Sequence, residues 1–276
     1  MMKQDLTGFI DIHLHTSPDV RPRKLDDLAA ARQAASEKMK AIVLKNHVAC
    51  TSGRAAVVSQ ILADVKVFGS IVLNEHIGGI NPLAVDSAIK MGAKIVWLPT
   101  ISAENHRRYH GEPGGILISQ DEPDIINRLS EIIELVRDAD RVLATGHISA
   151  DEISIVVNLS KEMGLKKCIV THPEVPWIDM SIDQQVALRE RGAFFERCYA
   201  STMKIGGGVP ITSISEAIFK VGCETTIIST DFGADVLDAP IAGYKNFLKE
   251  LEEQGLNRDQ LKTMGIKNPS LMLGID

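Results

Sequence analysis

The chain has 276 residues, 45% of them hydrophobic and 24% charged, with a formal net charge of −6. That composition excludes a disordered chain and a disulfide-built scaffold, and the length buries a large core without covalent staples. Mild acidity argues against a dedicated nucleic-acid binder, and no apolar run reaches the roughly 18 residues of a membrane span.

The opening MMKQDLTGF has no basic stretch followed by an apolar core, so no targeting segment is expected. FIDIHLH (9–15) is the first strand, and LDDLAAARQAASEKM (25–39) the first helix, with alanine and leucine at helical spacing and acids early. Strands follow at AIVLKNH (41–47), VFGSIVLNEH (67–76) and KIVWLPT (94–100). The connection at 101–124 is too long for an ordinary strand-to-helix loop, which marks a lid or binding segment, or else an insertion without order. A helix at 126–140 leads to strands RVLATGHIS (141–149), KCIVTHPE (167–174), AFFERC (193–198) and TTIISTDFG (225–233), and a helix at 240–254 follows.

Several strands are nearly continuous in apolar residues, as in a parallel sheet covered on both faces. Strand then helix, eight times, predicts an α/β fold. A closed (β/α)8 TIM barrel is favoured over an open doubly wound sheet, and residues 1–276 read as a single domain. The cysteines (Cys50, Cys168, Cys198, Cys223) are scattered, with no CxxC pair. They read as reduced core thiols in a cytoplasmic protein.

All eight histidines fall at the C-terminal end of an expected strand or just beyond it: His13, His15, His47, His76, His106, His110, His147 and His172. In a (β/α)8 barrel that rim carries the active site. Residues two apart on a strand share a face, so His13 and His15 can enter one cavity, where neutral imidazole suits zinc, iron or manganese. Asp11 precedes the pair. Asp231, ending strand eight, adds a carboxylate beside strand one once the barrel closes.

DIHLH, TGHIS, VTHPE and STDFG, in that order on strands one, five, six and eight, resemble the amidohydrolase superfamily of metal-dependent hydrolases. The ending KNPSLMLGID is similar to the NPA-x-x-LG ending common there. The resemblance implies that His13, His15 and Asp231 bind a buried divalent ion, zinc first, with manganese or iron as alternatives. It implies that His147 and His172 bind a second ion. In one-metal members His147 joins the first site and His172 orients the water. Asp231 resembles the aspartate that moves the proton from water to the leaving group. The rival polymerase-and-histidinol-phosphatase type also begins with HxH, but it carries a histidine two residues after its last aspartate, where this chain has Gly233.

One departure concerns strand four, where two-metal members carry a carboxylated lysine or a glutamate. This strand ends WLPTIS, and Lys94 lies at its beginning, on the opposite rim. Lys45, ending strand two, is the substitute. It either bridges two ions as a carbamate, binds a substrate anion as an ammonium, or pairs with Glu75. The number of ions, one or two, stays open.

Substrate contacts are expected from the loops. Arg21, Arg23, Arg107 and Arg108 stand on the catalytic side of an acidic protein, which favours a small anionic substrate over solvated loop charges. Asn74 and His76, ending strand three, are candidates for the pocket, with Asn74 the polar contact by alternation. Glu196 either meets substrate or pairs with Arg197 or Arg189. The glycine-rich KIGGGVP (204–210) matches no nucleotide fingerprint and reads as a flexible loop. No GxSxG elbow supports a serine nucleophile.

The sequence thus reads as an enzyme that hydrolyses an amide, lactam, lactone or ester bond of a small, anionic molecule. Asp231, His172 and Lys45 are its catalytic candidates. The alternatives are a one-metal decarboxylase or deaminase and a non-catalytic ligand-binding barrel. A small-molecule partner is expected, with no nucleic acid or membrane, and self-association into a homo-oligomer.

Overall fold

A computed structural model describes residues 4–276; Met1–Lys3, where the stretch read as lacking a targeting segment begins, lie outside them. Eight parallel strands run in sequence order: β1 (Ile10–His15), β2 (Ala41–Lys45), β3 (Lys66–Val72), β4 (Ala93–Trp97), β5 (Val142–Ala144), β6 (Cys168–Thr171), β7 (Phe194–Cys198) and β8 (Thr226–Ser229). Residues just beyond β8 close the ring onto β1. His15 N donates to Phe232 O at 2.8 Å and Asp231 N to His13 O at 2.7 Å. Asp11 reinforces this seam by accepting from Thr230 N (3.1 Å) and Thr230 Oγ1 (2.5 Å), and burial pushes its carboxyl up to about 7. The single-domain (β/α)8 barrel expected from the strand–helix alternation is therefore the fold.

The helices surround the sheet. They are α1 (Asp27–Ser36), α2 (Ser52–Ile61), α3 (Pro82–Lys90), α4 (Glu104–Tyr109), α5 (Pro123–Asp138), α6 (Ala150–Glu162), α7 (Ile182–Arg189), α8 (Ile211–Val221), α9 (Pro240–Glu253), α10 (Arg258–Lys262) and α11 (Asn268–Leu273). Their starts are written in the sequence. Asp26 caps α1 through Ala29 N, and Ser149 with Glu152 forms a capping box on α6. None is long and apolar enough to cross a membrane. The long 101–124 connection contains α4, so it is a folded segment rather than an insertion without order. Ala103 and Ile116 form a parallel bridge across it, and Ile118 N donates to Glu152 at 2.7 Å.

Inside the barrel, Ile10, Ile12, Ala41, Val43, Val72, Ile95, Trp97, Val142, Ala144, Ile169 and Ile227 form one buried cluster, with Met272 and Leu273 of α11 joining it. Lys94 Nζ donates to Leu273 O, which confirms its place on the rim away from the histidines. Two larger clusters fill the space between sheet and helices.

The pairing of β1 with β2 decides where the histidines point. Asp11 faces Ile42 and Leu14 faces Leu44, so β1 carries one extra residue between them. Unbroken alternation would keep Ile10, Ile12 and Leu14 on one face and send His13 and His15 to the other. Instead, Ile10 and Ile12 pack inside the barrel and Leu14 packs outside, among the residues facing the helices. A bulge changes phase in this way and re-aims the side chains beyond it, here turning both imidazoles inward. Two motif glycines answer to close approach at the same rim. A Cβ on Gly233 would lie 2.0 Å from His15 O, and one on Gly146 2.4 Å from Leu98 O.

Candidate metal centre

The strand ends open into a cavity of about 680 Å³. Its wall includes His15, His47, His106, His110, His147, His172, Trp177 and Asp231, with Arg21 and Arg23 at one side. His13 lies fully buried beneath.

The tightest cluster is on the floor. His13 Nε2 lies 2.9 Å from Asp231 Oδ1, and His15 Nε2 lies 3.1 Å from the same oxygen. Lys45 Nζ is 2.8 Å from His13 Nε2 and 4.1 Å from the centre of the Trp97 ring. On its other side, His13 Nδ1 is 3.1 Å from Glu196 Oε1, which also accepts from Ser229 Oγ at 2.7 Å. Burial alone would raise the Asp231 carboxyl, but the adjoining His13 and His15 outweigh it and hold it well below the usual carboxylate range. Burial pushes His15 down to about 3 and His172 down to about 4. It lowers the Lys45 ammonium against the pull of Asp231 and Glu196. His13 is raised, because those same carboxylates overcome its burial.

These groups fit a divalent ion. His13, His15 and Asp231 bring one ligand atom each within 4.8 Å of one another. The 2.9 and 3.1 Å separations approach the ~3.3 Å edge of a tetrahedron with zinc–ligand bonds of about 2.0–2.1 Å. Two buried atoms beside this floor, His172 Nδ1 and Glu196 Oε2, have no hydrogen-bond partner. Convergent electron pairs and orphaned polar atoms in a buried floor are costly, and the Lys45 ammonium hydrogen-bonds only to His13 among them.

The outer histidines are placed more loosely. The ring centres of His147 and His172 are 4.9 Å apart, and His147 Nδ1 lies 3.0 Å from Nδ1 of His106 on α4. His172 and Asp231 both follow strand ends with left-handed backbone (φ 28° and 52°), a conformation that costs a non-glycine residue about 1–3 kcal/mol.

Several expected contacts lie elsewhere. Asn74 is buried behind the wall, donating to His47 O and Thr100 Oγ1 and accepting from Thr100 N and Ser102 N, so its side chain organises the turn after β4 instead of meeting the cavity. His76 is exposed on a short 3-10 turn (Glu75–Ile77) outside the cavity wall. Arg107 donates through both terminal nitrogens to Glu75 at 2.9 and 2.6 Å, outside the cavity, and this also rules out the Lys45–Glu75 pair. Arg108 turns to Glu104. Arg23 reaches the cavity but is held by Asp19 at 2.7 Å, leaving Arg21 at the mouth. Glu196 pairs with neither Arg197 nor Arg189. Alternation along β7 turns Glu196 inward and Arg197 outward to Glu174 and Gln185, while Arg189 pairs with Glu190. The glycine-rich segment contributes Ile205 and Gly206 to the cavity wall.

Among residues given no role from sequence, His47 and Trp177 line the cavity. His47 had a signal, since it lies two residues beyond the inward Lys45. Trp177, within 5.6–6.0 Å of the rings of His106, His110, His147 and His172, sits in an irregular loop with no periodicity to reveal it.

Solved structures share this architecture at low sequence identity. An amidohydrolase from Pseudomonas aeruginosa is similar at 12% identity with a TM-score of 0.69, covering 97% of this chain and 95% of that one. An organophosphorus hydrolase from Deinococcus radiodurans is similar at 12% identity with a TM-score of 0.64, over 98% and 93%. A TatD homologue from Escherichia coli is similar at 13% identity with a TM-score of 0.61, over 98% and 100%. The likeness shows a common barrel of the kind the four motifs suggested. No curated protein matches in sequence. Residues 8–196 match the family of unknown function DUF6282, and the chain belongs to that family.

Proposed function

We propose that this protein is a metal-dependent hydrolase that uses activated water to open an amide, lactam, lactone or ester bond of a small anionic molecule. The observation that carries the reading is the convergence of His13 Nε2, His15 Nε2 and Asp231 Oδ1 on the buried floor of the cavity. His13, His15 and Asp231 would hold a divalent ion there, zinc by the donor set, which would supply water acidified to a pKa of about 7 and polarisation of the bond under attack. Asp231 Oδ1 faces both histidines, and its side chain is 23% exposed toward the cavity. The carboxylate takes the proton from the attacking water as the new carbon–oxygen bond forms. It returns that proton to the leaving nitrogen or oxygen as the old bond breaks, a service worth about 10²–10⁴-fold. His172 orients the water, and His147 with His172 offers donors to a second ion. Arg21 and the imidazole of His47 meet the substrate anion. Four unpaired cysteines suit a reducing cytoplasm.

A one-ion decarboxylase or deaminase is the second reading. It is favoured by Lys45 Nζ lying 2.8 Å from His13 Nε2 and by the lack of a ligating side chain at the end of β4. Elemental analysis of protein purified without chelator, with intact mass, tests both. Two ions with a carbon dioxide adduct on Lys45 are expected for the bridged hydrolase, and one ion with unmodified Lys45 for the second reading. No ion, even after reconstitution with zinc, overturns both.

A further inference from the structure

We propose that Glu196 is a positioning residue that sets the tautomer and aim of His13: its carboxylate holds the Nδ1 proton, so Nε2 presents its lone pair to the ion. The inference rests on the metal-centre reading and deepens it.

An imidazole has two nitrogens, and in the neutral ring only one offers a lone pair. In His13 each lies near a carboxylate: Nδ1 is 3.1 Å from Glu196 Oε1, and Nε2 is 2.9 Å from Asp231 Oδ1 and 2.8 Å from Lys45 Nζ. The sides differ in what else converges, since His15 Nε2 meets the same Asp231 oxygen while Glu196 Oε1 is already engaged by Ser229 Oγ. With an ion on the Nε2 side, the Glu196 carboxylate, which accepts and does not donate, is matched by a protonated Nδ1. That leaves Nε2 as the ligand, the arrangement by which metal-binding histidines gain basicity and a locked orientation. The carboxylate is itself oriented by the Ser229 hydroxyl at 2.7 Å. The three residues come from β7, β8 and β1, three neighbouring staves of the closed barrel, so backbone pairing holds them in relation. Glu196 and His13 are both fully buried, which leaves little room for either ring nitrogen to exchange partners with water.

A competing arrangement uses the same histidine. His13 Nδ1, Glu196 and Cys198 also bring ligand atoms within 4.8 Å of one another. It would draw the Nδ1 lone pair toward β7 and remove His13 from the set with His15 and Asp231. It also needs Cys198, which is buried outside the cavity wall with Sγ 3.7 Å from His13 Nδ1. The two sets are therefore alternatives at His13, and the Nε2 set is the one whose other members, His15 and Asp231, line the cavity.

Zinc affinity of the full-length apoprotein, measured by competition with a chromophoric chelator, tests this. Wild-type protein that takes up no zinc overturns the metal-centre reading itself, before Glu196 is at issue. With wild-type binding in hand, E196Q is expected to bind zinc about 10–100-fold more weakly, S229A to lose less, and C198S to bind as the wild type does. E196Q with wild-type affinity, or C198S as damaged as E196Q, overturns the assignment. Long-range 1H–15N spectra of zinc-loaded wild type supply a readout independent of any variant's folding. They are expected to show His13 protonated at Nδ1, and protonation at Nε2 overturns the proposal.

Discussion

The two halves of the cavity floor are built on different plans. In the half formed by β7, β8, β1 and β2, His13, His15 and Lys45 stand on strands, and Asp231 is tied to β1 by its own backbone. Contacts of 2.8–3.1 Å link all of them with Glu196. In the half formed by β5 and β6, the histidines stand beyond the strand ends. Their rings are 4.9 Å apart, one is left with a nitrogen unpartnered, and the other leans on the short helix α4. The difference teaches that hydrogen-bonded ladders preorganise the first half, whereas the second depends on how loops and the short helix α4 settle. On the proposed reading, the first half offers a tight ion position and the second an adaptable one.

The strongest way to break the comparison is H13A. Removing the ring takes the central contact from two carboxylates and a lysine, leaving buried charge uncompensated. A loss of about 3–5 kcal/mol in denaturant unfolding is expected, together with loss of the floor ion by elemental analysis. A variant that keeps both its stability and its ion would show that His13 is not the hub of the preorganised half.

H172A probes the other half and should act on ion count more than on fold. Its Nδ1 makes no hydrogen bond, so the stability lost is mainly that of a vacated ring. In protein that carries two ions, one ion is expected to remain, because the floor set does not include this histidine. If both ions leave together, the halves are one coupled site and the contrast fails.

How much of this was legible in the sequence follows the same division. The barrel could be read from aliphatic strands alternating with helices, and the ligand candidates from the positions of histidines at strand ends. The inward aim of His13 and His15 was read from simple two-residue spacing. That gives the shared face, but the choice of face belongs to a bulge that only the pairing with β2 reveals. Asn74 was misplaced because β3 ends at Val72, and beyond it the chain turns into a 3-10 segment where alternation no longer applies. Arg107 was misplaced because its partner, Glu75, is 32 residues away in sequence. Glu196 showed an ambiguity of another kind. The sequence left it between substrate and a nearby arginine, whereas its partner is a histidine 183 residues earlier, brought close by closure of the barrel.

The smallest effects are expected in α4, and they sharpen the contrast most finely. Two side chains of this helix hydrogen-bond to the β5–β6 half. Asn105 Nδ2 donates to His147 O at 3.1 Å and to Trp177 O at 2.6 Å, binding the helix to two loop carbonyls at once. His106 makes one hydrogen bond, Nδ1 to Nδ1 of His147 at 3.0 Å, and packs its ring near those of His110 and Trp177. Removing Asn105 leaves two carbonyls short of a donor in a partly buried setting, so N105A should cost about 1–3 kcal/mol, while H106A should cost about 0.5–1.5 kcal/mol. Limited proteolysis within 101–122 should speed up in the same order, since cleavage follows the population of the opened segment. The helix that carries His106 would then be held chiefly by backbone carbonyls, leaving the histidine free to exchange its partner for a ligand. Equal costs would instead make the His106–His147 contact a structural strut, and the second half of the floor would be as rigid as the first.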